Sequence, residues 1–165
     1  MKIVVMIGMA CSFLFGQGKE YESAIYKNGM TVSWYHKAER VFFKMRAPTI
    51  GWVTIGFNES TSIKGSYLLM GHIKKGSTKV IEYVTLSPGN YKPLSTFNLK
   101  SQVMGVKGKE KKEETEIFFS LPIKAVSPYR KDLLKGKKYT LVMAYSQEDD
   151  FQHHSIMRTA VLIEL

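Results

Sequence analysis

Apolar and polar residues alternate in short blocks along most of the chain. Alternation with period two marks strands that bury one face. Met30 to His36 alternates around Val32 and Trp34, and Val41 to Ala47 resumes after the polar break from Lys37 to Arg40. Pro48 ends that strand, Gly51 to Phe57 forms the next, and Asn58 to Gly65 is a polar loop. Tyr67 to Ile73 and Thr78 to Leu86 flank Lys74-Lys75-Gly76-Ser77, a hairpin turn, and Ser87-Pro88-Gly89-Asn90 is a second turn. Gln102 to Lys107 and Thr115 to Leu121 flank Gly108 to Glu114, whose interleaved Lys and Glu predict a solvated hairpin tip. Ser127 to Leu134 predicts one short helical turn closed by Gly136, and Tyr139 to Ser146 and Thr159 to Leu165 supply the last strands.

About nine strands with little helix predict an all-β fold, an immunoglobulin-like antiparallel β-sandwich. A closed barrel produces the same alternation, so the pattern alone leaves that alternative open. The 165 residues suit a single domain, with no internal repeat and no linker rich in Pro, Gly or Ser.

The first 18 residues differ from the rest. Lys2 is followed by an uncharged apolar run from Ile3 to Phe15 and then by Gly16-Gln17-Gly18, the order of a cleavable secretory signal. The run is shorter than the roughly 20 residues that a membrane-spanning helix needs. The expected organisation is a signal peptide over 1–18 and one domain over 19–165, secreted or periplasmic. The single cysteine, Cys11, lies in the leader, so the domain would fold without a disulfide. Lipidation at Cys11 is the one route by which membrane association would be expected. The net charge is +10, and only Lys2 of it falls in the leader. A basic domain favours anionic partners, and export argues against nucleic acid.

Enzymatic chemistry finds no support. The chain has no Gly-x-Ser-x-Gly elbow, no phosphate-binding Gly-x-x-x-x-Gly-Lys loop and no His-Glu-x-x-His helix. The expected role is therefore non-catalytic. Of the four histidines, His36 ends a strand and reads as a surface residue, and His72 lies within one. His153 and His154 are neighbours, so in an extended segment their rings point to opposite faces. Their spacing to Asp149 does not make a closed metal site. Trp34, Trp52, Tyr67 and Tyr83 fall on strands, where such rings either fill the core or stack on a sugar.

Taken in order, these segments resemble a known family. Trp34, then Gly51-Trp52-Val53-Thr54-Ile55-Gly56-Phe57-Asn58, then Ile63-Lys64-Gly65-Ser66 and Gly71 are similar to the DOMON domain. Phe118-Phe119-Ser120-Leu121-Pro122, Asp132-Leu133-Leu134, Leu141-Val142-Met143-Ala144-Tyr145 and His154-Ser155-Ile156-Met157-Arg158 resemble its closing segments. The resemblance spans about residues 25–165. It implies a sandwich with a pocket for b-type haem or a sugar. In haem-binding members, iron is held by a methionine after the Gly-Trp strand and a histidine near the last strand. The histidine corresponds to His154. The methionine corresponds to Ile63, whose alkyl chain has no lone pair to give.

Three arrangements follow from that substitution. Iron is held by His154 alone, a nearby donor such as Met70 or Lys64 takes the place of Ile63, or the pocket takes a different ligand. The first reading is an exported ligand-binding domain for a sugar or an envelope partner in a non-redox role, with Trp34, Trp52 and Tyr67 as ligand contacts. The alternative is a module that binds haem b and transfers electrons to a partner, with His154 on the metal and Ile63 and Met70 beside the cofactor.

Overall fold

The computed structural model describes residues 23–165. The expected signal segment, with Lys2 and Cys11, lies outside the described residues. The described chain forms eleven strands: β1 (Ser23–Lys27), β2 (Met30–Lys37), β3 (Arg40–Ala47), β4 (Val53–Asn58), β5 (Tyr67–Lys74), β6 (Ser77–Ser87), β7 (Asn90–Pro93), β8 (Met104–Lys111), β9 (Glu114–Pro122), β10 (Lys138–Tyr145) and β11 (Met157–Glu164). They build two antiparallel sheets, a five-stranded one in the order β1-β2-β3-β9-β8 and a six-stranded one in the order β11-β10-β4-β5-β6-β7. This is a sandwich of two sheets and not a closed barrel. Among the described residues, no helix is long and apolar enough to cross a membrane.

The alternation dictates the core. Val32 and Trp34, Phe43 and Met45, and Ile117 and Phe119 face inward from the first sheet, each 4% exposed or less. Ile55, Phe57, Leu69, Leu141 and Met143 face them from the second, all fully buried. Phe43 joins the layers, with its ring 5.3 Å from that of Phe57 and 5.7 Å from that of Phe119. Burying each such side chain stabilises the fold by about 1.5–3 kcal/mol.

One charged network lies inside. The Glu82 carboxylate accepts from Tyr67 Oη at 2.6 Å, Arg130 Nε at 2.8 Å and the Gln102 N–H at 2.8 Å. Arg130 also donates through Nη2 to the Lys100 carbonyl at 2.7 Å. Burial pushes the Glu82 carboxyl up, but these hydrogen bonds more than offset it and hold it below its ordinary value. Burial, reinforced by the Glu82 charge, pushes the Tyr67 hydroxyl well up. The network pins the Leu99–Gln102 crossing to the second sheet and links it to the segment before β10.

The structure departs from the sequence reading in four places. There are eleven strands instead of about nine, because β1 is largely exposed and β7 is four residues ending in Pro93. Neither edge strand carries a clear period. Ser127 to Leu134 is not helical. It makes one turn, Arg130 N–H to Ser127 O at 3.2 Å, and then runs without regular structure, with Arg130 bonded to the buried Glu82. The short 3-10 helix is Leu94–Phe97 instead. The charged run from Gly108 to Glu114 is mostly strand, since β8 and β9 continue through it to the turn at Lys112, where φ is 55°. His36 is half-buried and bonds through Nε2 to the Leu133 carbonyl at 3.0 Å.

Candidate functional site

The six-stranded sheet is apolar on both faces. Every position of β4 is buried, and β5 is buried from Tyr67 to Gly71. The register places Ala144, Thr54 and Met70 side by side across β10, β4 and β5 on the face away from the core. One step along lie Val142, Gly56 and Leu68. At Gly56 a Cβ would fall 2.3 Å from Leu68 Cδ2, so the leucine side chain lies over the glycine. Trp52, Leu68, Met70, Tyr83, Ala144 and Phe151 form a second apolar cluster on this face, separate from the core.

The segment 147–156, between β10 and β11, folds over one end of this surface. Trp52 N–H donates to the Glu148 carbonyl, and Ser146 N–H to the Trp52 carbonyl, both at 3.0 Å. Gly51 makes this approach possible, since a Cβ would meet the Glu148 backbone nitrogen at 2.4 Å. Further out, His72 Nδ1 donates to the Asp149 carbonyl at 2.7 Å, and its ring stacks on Phe151. Tyr91 Oη, from β7, donates to the Phe151 carbonyl at 2.6 Å. Burial is the main reason that the Tyr91 hydroxyl sits above its ordinary pKa, which keeps it protonated as a donor. Ser146 Oγ donates to the His154 carbonyl at 2.9 Å.

A cleft of about 310 Å³ remains on this face. Its floor is Thr54, Leu68, Met70, Val142 and Ala144. Gly89 to Lys92 line one side, and Gln152 to Ser155 with Arg158 line another. Trp52, Thr85 and Ile63 complete it. The volume falls within the usual range for cofactor and small-ligand pockets.

Ile63 is held by its loop. Asn58 Nδ2 bonds the carbonyls of Ser62 and Lys64, the residues on either side of it. Gly65, at φ 79°, then turns the chain so that its N–H reaches the Thr85 carbonyl at 2.8 Å. The Asn-to-Gly stretch read as a polar loop is therefore a fixed support for Ile63.

The structure brings together four of the expected residues: Ile63, Met70, Trp52 and His154 all line the cleft. The Met70 side chain is 2% exposed in the floor, whereas His153 and His154 lie exposed at the rim. Trp34 and Tyr67 do not reach the cleft. Both are in the core between the sheets, and Tyr67 is committed to Glu82. Lys64 is exposed, and Tyr83 packs in the outer apolar cluster. Sequence reasoning passed over Thr85, Tyr91 and Arg158. The signal for Thr85 and Arg158 was strand parity, once the outward face of this sheet is known to be apolar. Among the described residues, no group of three or more His, Cys, Asp or Glu side chains is placed to hold a metal ion.

In its strand arrangement the chain is similar to the cytochrome domains of two dehydrogenases. The cytochrome b domain of pyranose dehydrogenase from Coprinopsis cinerea superposes with a TM-score of 0.65 at 8% identity, covering 86% of this chain and 80% of that one. The cytochrome domain of Myriococcum thermophilum cellobiose dehydrogenase gives 0.60 at 9% identity, over 87% and 81%. No family model and no curated protein sequence matches the chain.

Proposed function

We propose that this chain is a DOMON-type domain that binds b-type haem in the cleft on its six-stranded sheet and serves extracytoplasmic electron transfer, without catalysing a reaction itself. One observation carries the reading: a chain with the fold of cytochrome b domains has a cleft with an apolar floor and imidazole and thioether donors in its lining. When bound, haem supplies a one-electron carrier whose potential depends on its axial ligands and its burial. The chain's own residues suit such a group. Leu68, Met70, Val142 and Ala144 exclude water from a flat apolar surface. His154 offers an imidazole nitrogen, and the Met70 sulfur is the thioether in the same lining. The buried Trp52 Nε1 and Thr85 Oγ1 have no hydrogen-bond partner in the protein, as expected of groups meant for a ligand.

The non-redox reading keeps Ile63 on its side, since a branched alkyl chain at that position gives iron nothing to bind. It loses two of its three aromatic contacts, because Trp34 and Tyr67 are in the core. The visible spectrum of residues 19–165 titrated with haemin separates the two. A saturable, sharp Soret band at one equivalent that shifts on reduction is the expected result. A broad spectrum like that of free haemin would return the cleft to a sugar or another non-redox ligand.

A further inference from the structure

Two buried polar atoms belong to residues that line the cleft and bond nothing in the protein: Trp52 Nε1 and Thr85 Oγ1. Their residues are 4% and 3% exposed. Burying such a group without a partner is costly, and a ligand acceptor recovers that cost. The two stand apart. Thr85 is paired with Tyr91 beside the Ile63 loop, and Trp52 immediately precedes β4, at the end away from Asn58 and beside the 147–156 segment. Arg158 belongs to the Trp52 end: it is opposite Ala144, which is opposite Thr54, two residues from Trp52. The Arg158 Nη2 donates to Ser155 Oγ at 3.2 Å, which spends one of the five N–H groups of a guanidinium.

We propose that the Trp52 indole N–H and the Arg158 guanidinium hold a carboxylate of the bound ligand. The proposal rests on the haem reading and adds what orients the ligand: its anionic edge is set at the β10–β11 side. An indole N–H and a guanidinium are donors only, so together they select an acceptor that carries negative charge. The apolar floor between the two ends takes the uncharged body of the same molecule.

The test compares haemin with haemin dimethyl ester, whose carboxyl groups are capped, on wild type, Trp52→Phe and Arg158→Gln. Wild type is expected to bind haemin about tenfold more tightly than the ester, and Arg158→Gln to remove that preference. Trp52→Phe should weaken haemin binding by about tenfold while the ligand-free protein melts at the same temperature or higher, because the lost donor had no partner in the protein. Equal affinity of wild type for haemin and ester, or unchanged haemin affinity in both Trp52→Phe and Arg158→Gln, overturns this assignment and leaves the haem reading standing. Failure of wild type to bind haemin overturns both. Should Trp52→Phe melt lower, Arg158→Gln decides alone, since that side chain is exposed and contributes little to folding.

Discussion

The imidazole of His72 stacks on the ring of Phe151, with 4.5 Å between centroids and 29° between planes, while its Nδ1 holds the carbonyl of Asp149. A strand residue thus fastens the segment that roofs the cleft. His72→Ala removes a ring contact and a hydrogen bond at one place, each worth about 1 kcal/mol. The expected outcome is faster amide exchange over 148–155 and weaker haemin binding, with global stability lowered by only about 1–2 kcal/mol because the core is untouched. Hydrogen exchange by mass spectrometry checks it, and unchanged protection in that segment would count against the anchoring role.

The two tryptophans separate two kinds of burial. Trp34 lies between the sheets in the main core, and Trp52 in the outer cluster beside the cleft. Trp34→Ala leaves a cavity between two close-packed layers and should cost about 3–5 kcal/mol in urea denaturation. Trp52→Ala should cost less, because its site opens on a cleft that water can enter. An equal loss in both variants would show that the outer cluster is packed as tightly as the core.

That distinction was not legible in the sequence, for a physical reason. Alternation told which residues of a strand share a face, and it recovered nine of the eleven strands to within a few residues. It does not tell which face is the core when both are apolar. On β4 every position is buried, so Thr54 and Gly56 read no differently from Val53 and Ile55. Trp34 and Tyr67 were therefore as good candidates for the ligand as Trp52. His154, Ile63 and Met70 could be named only through the family resemblance, and Arg130 was invisible because its partner Glu82 is far away in sequence. Asn58 reads as a loop residue, and its grip on either side of Ile63 arises only from the folded loop.

The Tyr67–Glu82–Arg130 network sets a pH dependence of stability. The Glu82 carboxyl sits below its ordinary value when folded, so the unfolded chain binds the proton more tightly. Its contribution is present above about pH 4.3, the unfolded value, and is lost as pH falls through the folded one. Tyr67 has the opposite sense: its raised value means stability that is full below about pH 10 and lost as pH rises above it. Thermal melts should show wild type and Glu82→Gln furthest apart near neutral pH and converging below about pH 4.3. A constant gap across that range would show that Glu82 does not titrate with folding.

The same network predicts a steep asymmetry between breaking and replacing it. Arg130→Met alone leaves the Glu82 carboxylate buried with its strongest partner gone, at a cost of about 3–5 kcal/mol. Changing Arg130→Met together with Glu82→Leu and Tyr67→Phe removes all three polar side chains of the cluster, and should recover most of that loss. Urea midpoints of the single and triple variants measure it. A triple variant no more stable than the single would mean that the network's hold on the Leu99–Gln102 crossing matters more than its charges.

Ile63 gives the sharpest prediction about the cleft. Its backbone is set by Asn58 on both sides and by Gly65 after it, so a side chain placed there has little freedom to move elsewhere. Isoleucine has no donor atom, whereas methionine is unbranched, similar in volume and carries a thioether sulfur. In haem-reconstituted protein with His154 as ligand, wild type should show a high-spin spectrum, with one axial side unfilled by protein. Ile63→Met should turn it low-spin and raise the reduction potential, since Met/His ligation favours reduced iron. His154→Ala should abolish haem binding in both backgrounds, and His153→Ala in neither. A low-spin wild-type spectrum that Ile63→Met leaves unchanged would mean that another side chain already fills the position. Met70, buried in the floor of the same cleft, is then the first to replace, and Met70→Leu should convert that spectrum to high-spin.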